Sequence, residues 1–293
     1  MAEGDGGGLY LGFGTSGNSI DTTFEGNKAN DNGGAIFVSD APFAIDASKG
    51  ANGDEYLCNF NFNSVKSGRG GAIFVERQGS VNVGNCKFKS NGLQIGTEGG
   101  AIAALNTATI KVLASMFDDN GAAINGGAMF AMHDSKLTVD NTHFANNYAG
   151  TLPSLKGKGG AIYVVGSSIS EIKFSKFSNN QAGEVGGGIY SGENSGITLR
   201  KNQIISNKAG SAGGGIYISH LTCTVKTNDL SDKLFYSWVP DCTYDKTSCI
   251  TEEKEVTGKE FCIVSEDLEM RDNEARLGGA LFWEYKYNGT GGD

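Results

Sequence analysis

One repeat limits this chain more than any other feature. A Gly-Gly pair followed by Ala or Gly, an aliphatic residue and usually an aromatic one starts at Gly6, Gly33, Gly70, Gly99, Gly126, Gly159, Gly186, Gly213 and Gly278. Successive starts lie 27, 37, 29, 27, 33, 27, 27 and 65 residues apart, so the base period is 27 and the rest carries insertions. A second signature, Phe-x-x-Asn, keeps time with the first at Phe24/Asn27, Phe60/Asn63, Phe88/Asn91, Phe117/Asn120, Phe144/Asn147 and Phe177/Asn180. Relaxed copies follow at Ile204/Asn207 and Met270/Asn273. In six of the eight intervals the second motif trails the first Gly by 18 residues. Two motifs held at one offset while the overall spacing varies mark a structural unit.

Between the motifs lie short alternating pairs, Val81/Val83, Ile110/Val112, Leu137/Val139 and Ile197/Leu199, each starting 11 residues after its Gly-Gly. Period-2 alternation reads as strand, and no segment sustains a 3.6-residue period. Each repeat therefore holds three short strands separated by Gly, Asn, Asp and Ser corners. This predicts an all-β fold, a single-stranded right-handed parallel β-helix (a solenoid) of about nine to ten coils of ~27 residues. A β-propeller would need about 40–45 residues per blade.

In such a solenoid, coils about 4.8 Å apart stack equivalent side chains into rows. Aliphatics at the fourth and sixth motif positions (Ile36/Val38, Ile73/Val75, Ile162/Val164, Ile216/Ile218) are expected to fill the lumen, with the Phe row inside. Asn27, Asn63, Asn91, Asn120, Asn147, Asn180, Asn207 and Asn273 are expected to form an amide ladder along the axis. Gly-Gly suits a corner with positive φ or close coil-to-coil approach. By alternation, the third (Ala/Gly) and fifth positions point outward. The fifth holds Tyr10, Phe37, Phe74, Phe130, Tyr163, Tyr190, Tyr217 and Phe282, broken at Ala103. It is read either as an exposed stripe for a lateral protein or sugar contact, or as a row that loops cover or that a strand turned the other way takes inside.

Insertions fall at loops: nine residues between Val38 and Phe60, six after Asn147, and about 39 between Gly213 and Met270. The chain reads as one solenoid over 1–293, expected to be a segment of a longer protein, with a cysteine-containing insertion at 226–265 on the shaft. Cys58 and Cys86 each precede a motif Phe by two residues in consecutive coils, which puts their Cα atoms within disulfide range. Cys223, Cys242, Cys249 and Cys262 belong to the large insertion and allow three pairings; Cys223–Cys262 at its base and Cys242–Cys249 at its tip is the favoured one. Six cysteines so placed imply an oxidising compartment.

A formal charge of −9 argues against a phosphate-backbone binder. No apolar run reaches the ~18 residues of a membrane span. Met1-Ala2-Glu3-Gly4-Asp5 has no signal-peptide character, and neither end shows a polar cap. Gly12-Phe13-Gly14-Thr15-Ser16-Gly17 matches a dinucleotide fingerprint by letter, but no helix pattern follows, so it reads as a turn-rich loop. Asp118-Asp119 is an isolated acidic corner, and His133, His143 and His220 read as surface histidines. Outward residues after the first strand (Ser39/Asp40, Glu76/Arg77, His133/Asp134, Glu193, His220, Glu284) form no paired-carboxylate row of the kind glycosidases use. No catalytic, cofactor or metal residue is expected. Asn288-Gly289-Thr290 is the single glycosylation sequon.

The coupled Gly-Gly-Ala-Ile and Phe-x-x-Asn motifs resemble the polymorphic outer membrane protein (Pmp) repeats of chlamydial autotransporter passengers and other microbial surface proteins. The resemblance spans residues 6 to 283. It implies an extracellular or cell-surface, non-enzymatic stalk or adhesin segment, part of a fibre or appendage. The alternative is a carbohydrate-active or glycan-binding β-helix of the lyase, hydrolase or epimerase kind. The expected partners are protein (self-stacking, a flanking chain or a lateral partner on the aromatic stripe) or glycan, with no nucleic acid and no membrane insertion.

Overall fold

The computed structural model describes residues 2–48, 58–92, 97–150, 156–192, 194–219 and 263–284. Each period folds into one coil whose three strands join three parallel sheets. The first sheet holds nine strands, beginning with Leu9–Leu11 and Ile36–Ser39 and ending with Leu281–Glu284. The second runs from Gly17–Ile20 to Ile263–Glu266 and the third from Thr23–Glu25 to Glu269–Arg271, with eight strands each. Every neighbour in a sheet comes from the next coil, in parallel register: Ile36 faces Ile73, Phe60 faces Phe88, Val81 faces Ile110. Among the described residues, eight coils close with three strands each and one strand of a ninth follows, slightly short of the nine to ten expected.

The two glycines of the repeat have separate reasons. Gly33 sits at φ 65°, where a Cβ is disfavoured. Gly34 has ordinary φ, but a Cβ there would overlap the carbonyl oxygens of Gly71 in the next coil and Ser64. The first glycine therefore turns the chain, and the second lets the coils close up.

This corner also corrects the expected side-chain alternation. The N–H groups of Ala35 and Ile36 both donate to the carbonyl of Ala72, at 2.8 and 2.9 Å, and the doubling recurs in each of the next five coils. It is a bulge, which sends two consecutive side chains to the same face. The third-position alanines Ala35, Ala72, Ala101, Ala128 and Ala161 therefore line the lumen beside the aliphatics and do not point outward.

A short fourth side follows the Asn corner, which three strands per repeat did not anticipate. Gly121–Ala122, Tyr148–Ala149, Gln181–Ala182 and Lys208–Ala209 form a four-stranded sheet, and Lys28–Ala29 pairs with Ser64–Val65. The second residue of each pair is buried. The lumen itself is a continuous apolar column of Ile, Val, Leu, Ala and stacked Phe. Among the described residues, every buried polar side chain is Ser, Thr or Asn, so no ionised group is enclosed.

Candidate functional site

Three columns run along the shaft, and each is built by repetition of one corner. In the Asn column, Asn120 donates its backbone N–H and its Nδ2 to Oδ1 of Asn147, both at 3.0 Å, while Nδ2 also donates to the Phe88 carbonyl of the preceding coil. The same trio links Asn63 to Asn91, Asn91 to Asn120, Asn147 to Asn180, Asn180 to Asn207 and Asn207 to Asn273. Asn27 opens the series on Asn63. Each amide spans three coils, which only a side chain carrying both donor and acceptor can do. The residue before each Asn takes positive φ, from Phe62 to Asp272, and this aims the amide along the axis.

A second column lies at the corner leading into the third sheet, and its mixed letters hid it from sequence reading. The N–H of Cys86 donates to Ser115 Oγ, that of Ser115 to Thr142 Oγ1, that of Thr142 to Ser175 Oγ, and that of Ser175 to Asn202 Oδ1. Cys58 and Cys86 occupy the first rungs of this column. They form a disulfide with Cα atoms 4.7 Å apart, fully buried. It closes a loop of 28 residues, worth roughly 3–4 kcal/mol in the chain-entropy account. Cys223, Cys242, Cys249, Cys262 and Asn288 lie outside the described residues, as do Glu193, His220 and most of the 226–265 insertion; from Ile263 the chain is back in the second sheet.

The third column is the fifth-position aromatic row, and here the exposed stripe is corrected. Phe37, Phe74, Phe130, Tyr190 and Tyr217 are buried, at 2–9% exposure, and only Tyr10 stands well out, at 59%. The rings do lie outside the lumen and do stack. They are roofed by the residues flanking their strands: Leu105, Met132 and Val165 on one side, Val185 and Ala212 on the other. Where Ala103 interrupts the row, Arg69 reaches along the shaft, pairs with Glu98 at 2.7 Å and sets its guanidinium 5.6 Å from the Phe130 ring. Lys158 similarly caps Tyr190 at 5.3 Å.

Outward chemistry gathers in a few places. The structure brings together four residues that looked scattered in sequence. Ser39 Oγ lies 3.2 Å from Asp40 Oδ2 and 3.3 Å from Glu76 Oε1, and Arg77 contacts both carboxylates at 3.5 and 3.6 Å. Two residues on, Pro42 enters a shallow notch of about 390 Å³ between Asn18 and Asn82 over Ala44. On the third sheet, His143 Nε2 meets Ser178 Oγ at 2.8 Å. Burial, then the nearby Lys176, pushes its pKa down, against a smaller upward pull from Asp118. His133 faces Asn106 at 3.2 Å. Tyr148 covers Gly121, and burial together with Asp119 raises its phenol pKa. Among the described residues, no group of three or more His, Cys, Asp or Glu side chains is placed to hold a metal ion.

The comparisons with known proteins agree with the fold. The right-handed β-helix region family matches residues 50–230, more than half of the chain. The chain belongs to the right-handed β-helix family. Within it, the Chlamydia polymorphic membrane protein repeat matches residues 21–39, which hold the first Phe-x-x-Asn and the second Gly-Gly motif. This right-handed β-helix is thus of the Pmp-like kind, a repeat of surface proteins. No curated protein and no solved structure matches the chain.

Proposed function

We propose that this β-helix is an extracellular, non-enzymatic shaft at the cell surface, a stalk or adhesin segment of a surface fibre or appendage. One observation carries the reading: the amide ladder runs unbroken from Asn27 to Asn273, so each coil is held to the next by the same side-chain bonds. Such a column makes a stiff rod and leaves the outer faces free to vary. Its partners are other protein surfaces or glycans. In the source cells, an antibody raised against the shaft should label unpermeabilised cells; labelling only after permeabilisation would overturn the reading.

A second reading, a carbohydrate-active β-helix, draws on the Asp40/Glu76 pair beside the notch. It expects cleavage of a polysaccharide that the Asp40→Asn variant loses. Turnover retained by that variant would remove it.

A further inference from the structure

The notch beside Asp40 is built from three successive coils. In the second sheet, register places Asn18, Ala44 and Asn82 in one outward row. The small Ala44 side chain leaves a floor between two amides that stand two coils apart, about 9.6 Å at the parallel spacing. Both amides are exposed, and neither forms a hydrogen bond among the described residues. The outward Asn85, Asn125 and Asn146, by contrast, each hold a carboxylate. The loop at the lip of the notch carries a ring that the fold does not require. Gly12–Thr15 is a tight turn, in which the Thr15 N–H and hydroxyl both donate to the Gly12 carbonyl, at 3.1 and 2.6 Å, and Gly14 takes φ 78°. The third position of such a turn needs its glycine, whereas the second accepts most residues. It holds Phe13, the most exposed of the large apolar side chains described, at 89%. A single exposed ring needs no explanation. This one is fixed on a bonded turn, with Ser16 of the notch three residues on and the exposed Tyr10 lying against Gly12 at its foot. Counted from the register of Leu11, Val38 and Val75, the residues Phe13, Asp40 and Arg77 open the same corner in successive coils. Arg77 contacts both Asp40 and Glu76, which leaves one net negative charge in that group and no free cation.

We propose that this corner binds a neutral oligosaccharide, with a pyranose ring seated in the notch. Each unpaired amide offers both a donor and an acceptor, which is what adjacent sugar hydroxyls need. Phe13 and the exposed Pro42 offer apolar faces to the C–H side of the sugar. At about 390 Å³ the notch lies near the small end of ligand sites, which run from ~300 to 1,000 Å³. Charge decides against an acidic sugar or a phosphate, because the neighbouring group is net negative and its guanidinium is already paired. The proposal names the ligand class for the glycan contact suggested above and rests on that reading for its biological meaning. Its test reads binding by purified protein, so its failure leaves the cell labelling and the cleavage assay untouched.

The probes are neutral hexasaccharides of β-1,4-linked glucose, N-acetylglucosamine and mannose and of α-1,4-linked glucose, with a uronic-acid hexasaccharide and a Pro-rich peptide, each titrated into the full chain. At least one neutral sugar should bind, with an affinity that salt does not change, and the uronate and the peptide should not. Phe13→Ala should weaken binding roughly tenfold, and Ala44→Leu, which fills the floor of the notch, at least as much, with the circular dichroism spectrum unchanged. Lys89→Gln, on the third sheet, should leave binding as it was. Failure of every neutral sugar to bind would overturn the proposal, as would binding of the uronate or the peptide as tight as that of the best neutral sugar. Parent-like affinity in either Phe13→Ala or Ala44→Leu would overturn it too.

Discussion

Two aromatic columns run side by side along this β-helix, one inside the lumen and one outside, and they are not equivalent. Inside, Phe24, Phe60, Phe88, Phe117, Phe144 and Phe177 stack at 4.6–4.9 Å with ring planes within 11°. Outside, spacings run from 4.9 to 5.4 Å, one pair tilts by 25°, and the row breaks at Ala103. The inner column is enclosed by every coil in the same way. The outer one depends on a roof whose letters change from Leu105 to Met132 to Val165. Identical backbone spacing yields uniform packing only where the surroundings repeat as well.

That contrast can be broken most sharply in the lumen. Phe117→Ala should cost about 3–5 kcal/mol, because a cavity with stacked neighbours on both sides cannot collapse; urea denaturation reads it. The ladder comes next. Asn147→Ala leaves the Asn120 donors and the Phe117 carbonyl unpaired and should cost roughly 2–4 kcal/mol. A loss below that of an ordinary surface substitution would show that the amides are not structural. Outside, Phe130→Ala should cost only about 2–3 kcal/mol, since the roof can settle into the space. If it matched Phe117→Ala, the two columns would be energetically alike.

Smaller effects sharpen the comparison. Ala103→Phe should complete the outer row and gain less than about 1 kcal/mol, the new ring pair being offset by displacement of Arg69 from Phe130. Thermal melts of Ala103→Phe with and without Arg69→Ala would separate the two contributions. Least of all is pH. The folded state lowers the His143 pKa, so the stability this residue contributes is complete above its unfolded pKa, near 6.5, and is lost as pH falls below it. A slight drop in Tm on acidification, absent in His143→Gln, is expected. The described lumen holds no ionised group, so the inner column should not respond.

Much of the shaft was legible because repetition writes it many times over. The Gly-Gly spacing and Phe-x-x-Asn offset were enough to place Asn63 above Asn27 and Cys86 above Cys58. What escaped was whatever does not repeat by letter. The column of Cys86, Ser115, Thr142, Ser175 and Asn202 shares a hydrogen-bonding role but no residue type. The buried Ala two residues after Asn27, Asn120, Asn147, Asn180 and Asn207 was present in the text but carried no alternation to signal a fourth side. The Asp40–Glu76 pair draws on two coils, so no sequence window contains it.

The sequence alone determined the coil, its register and its amide ladder, because a strict period forces equivalent residues into contact at one spacing. The tertiary structure decided which way the side chains of each period face. A bulge just after the second glycine turned the alanines inward, and flanking residues of differing sizes closed over the aromatics that alternation had left outside. Those outcomes depend on how neighbouring coils share one carbonyl and one patch of apolar surface, a property of contact between coils that no single repeat contains.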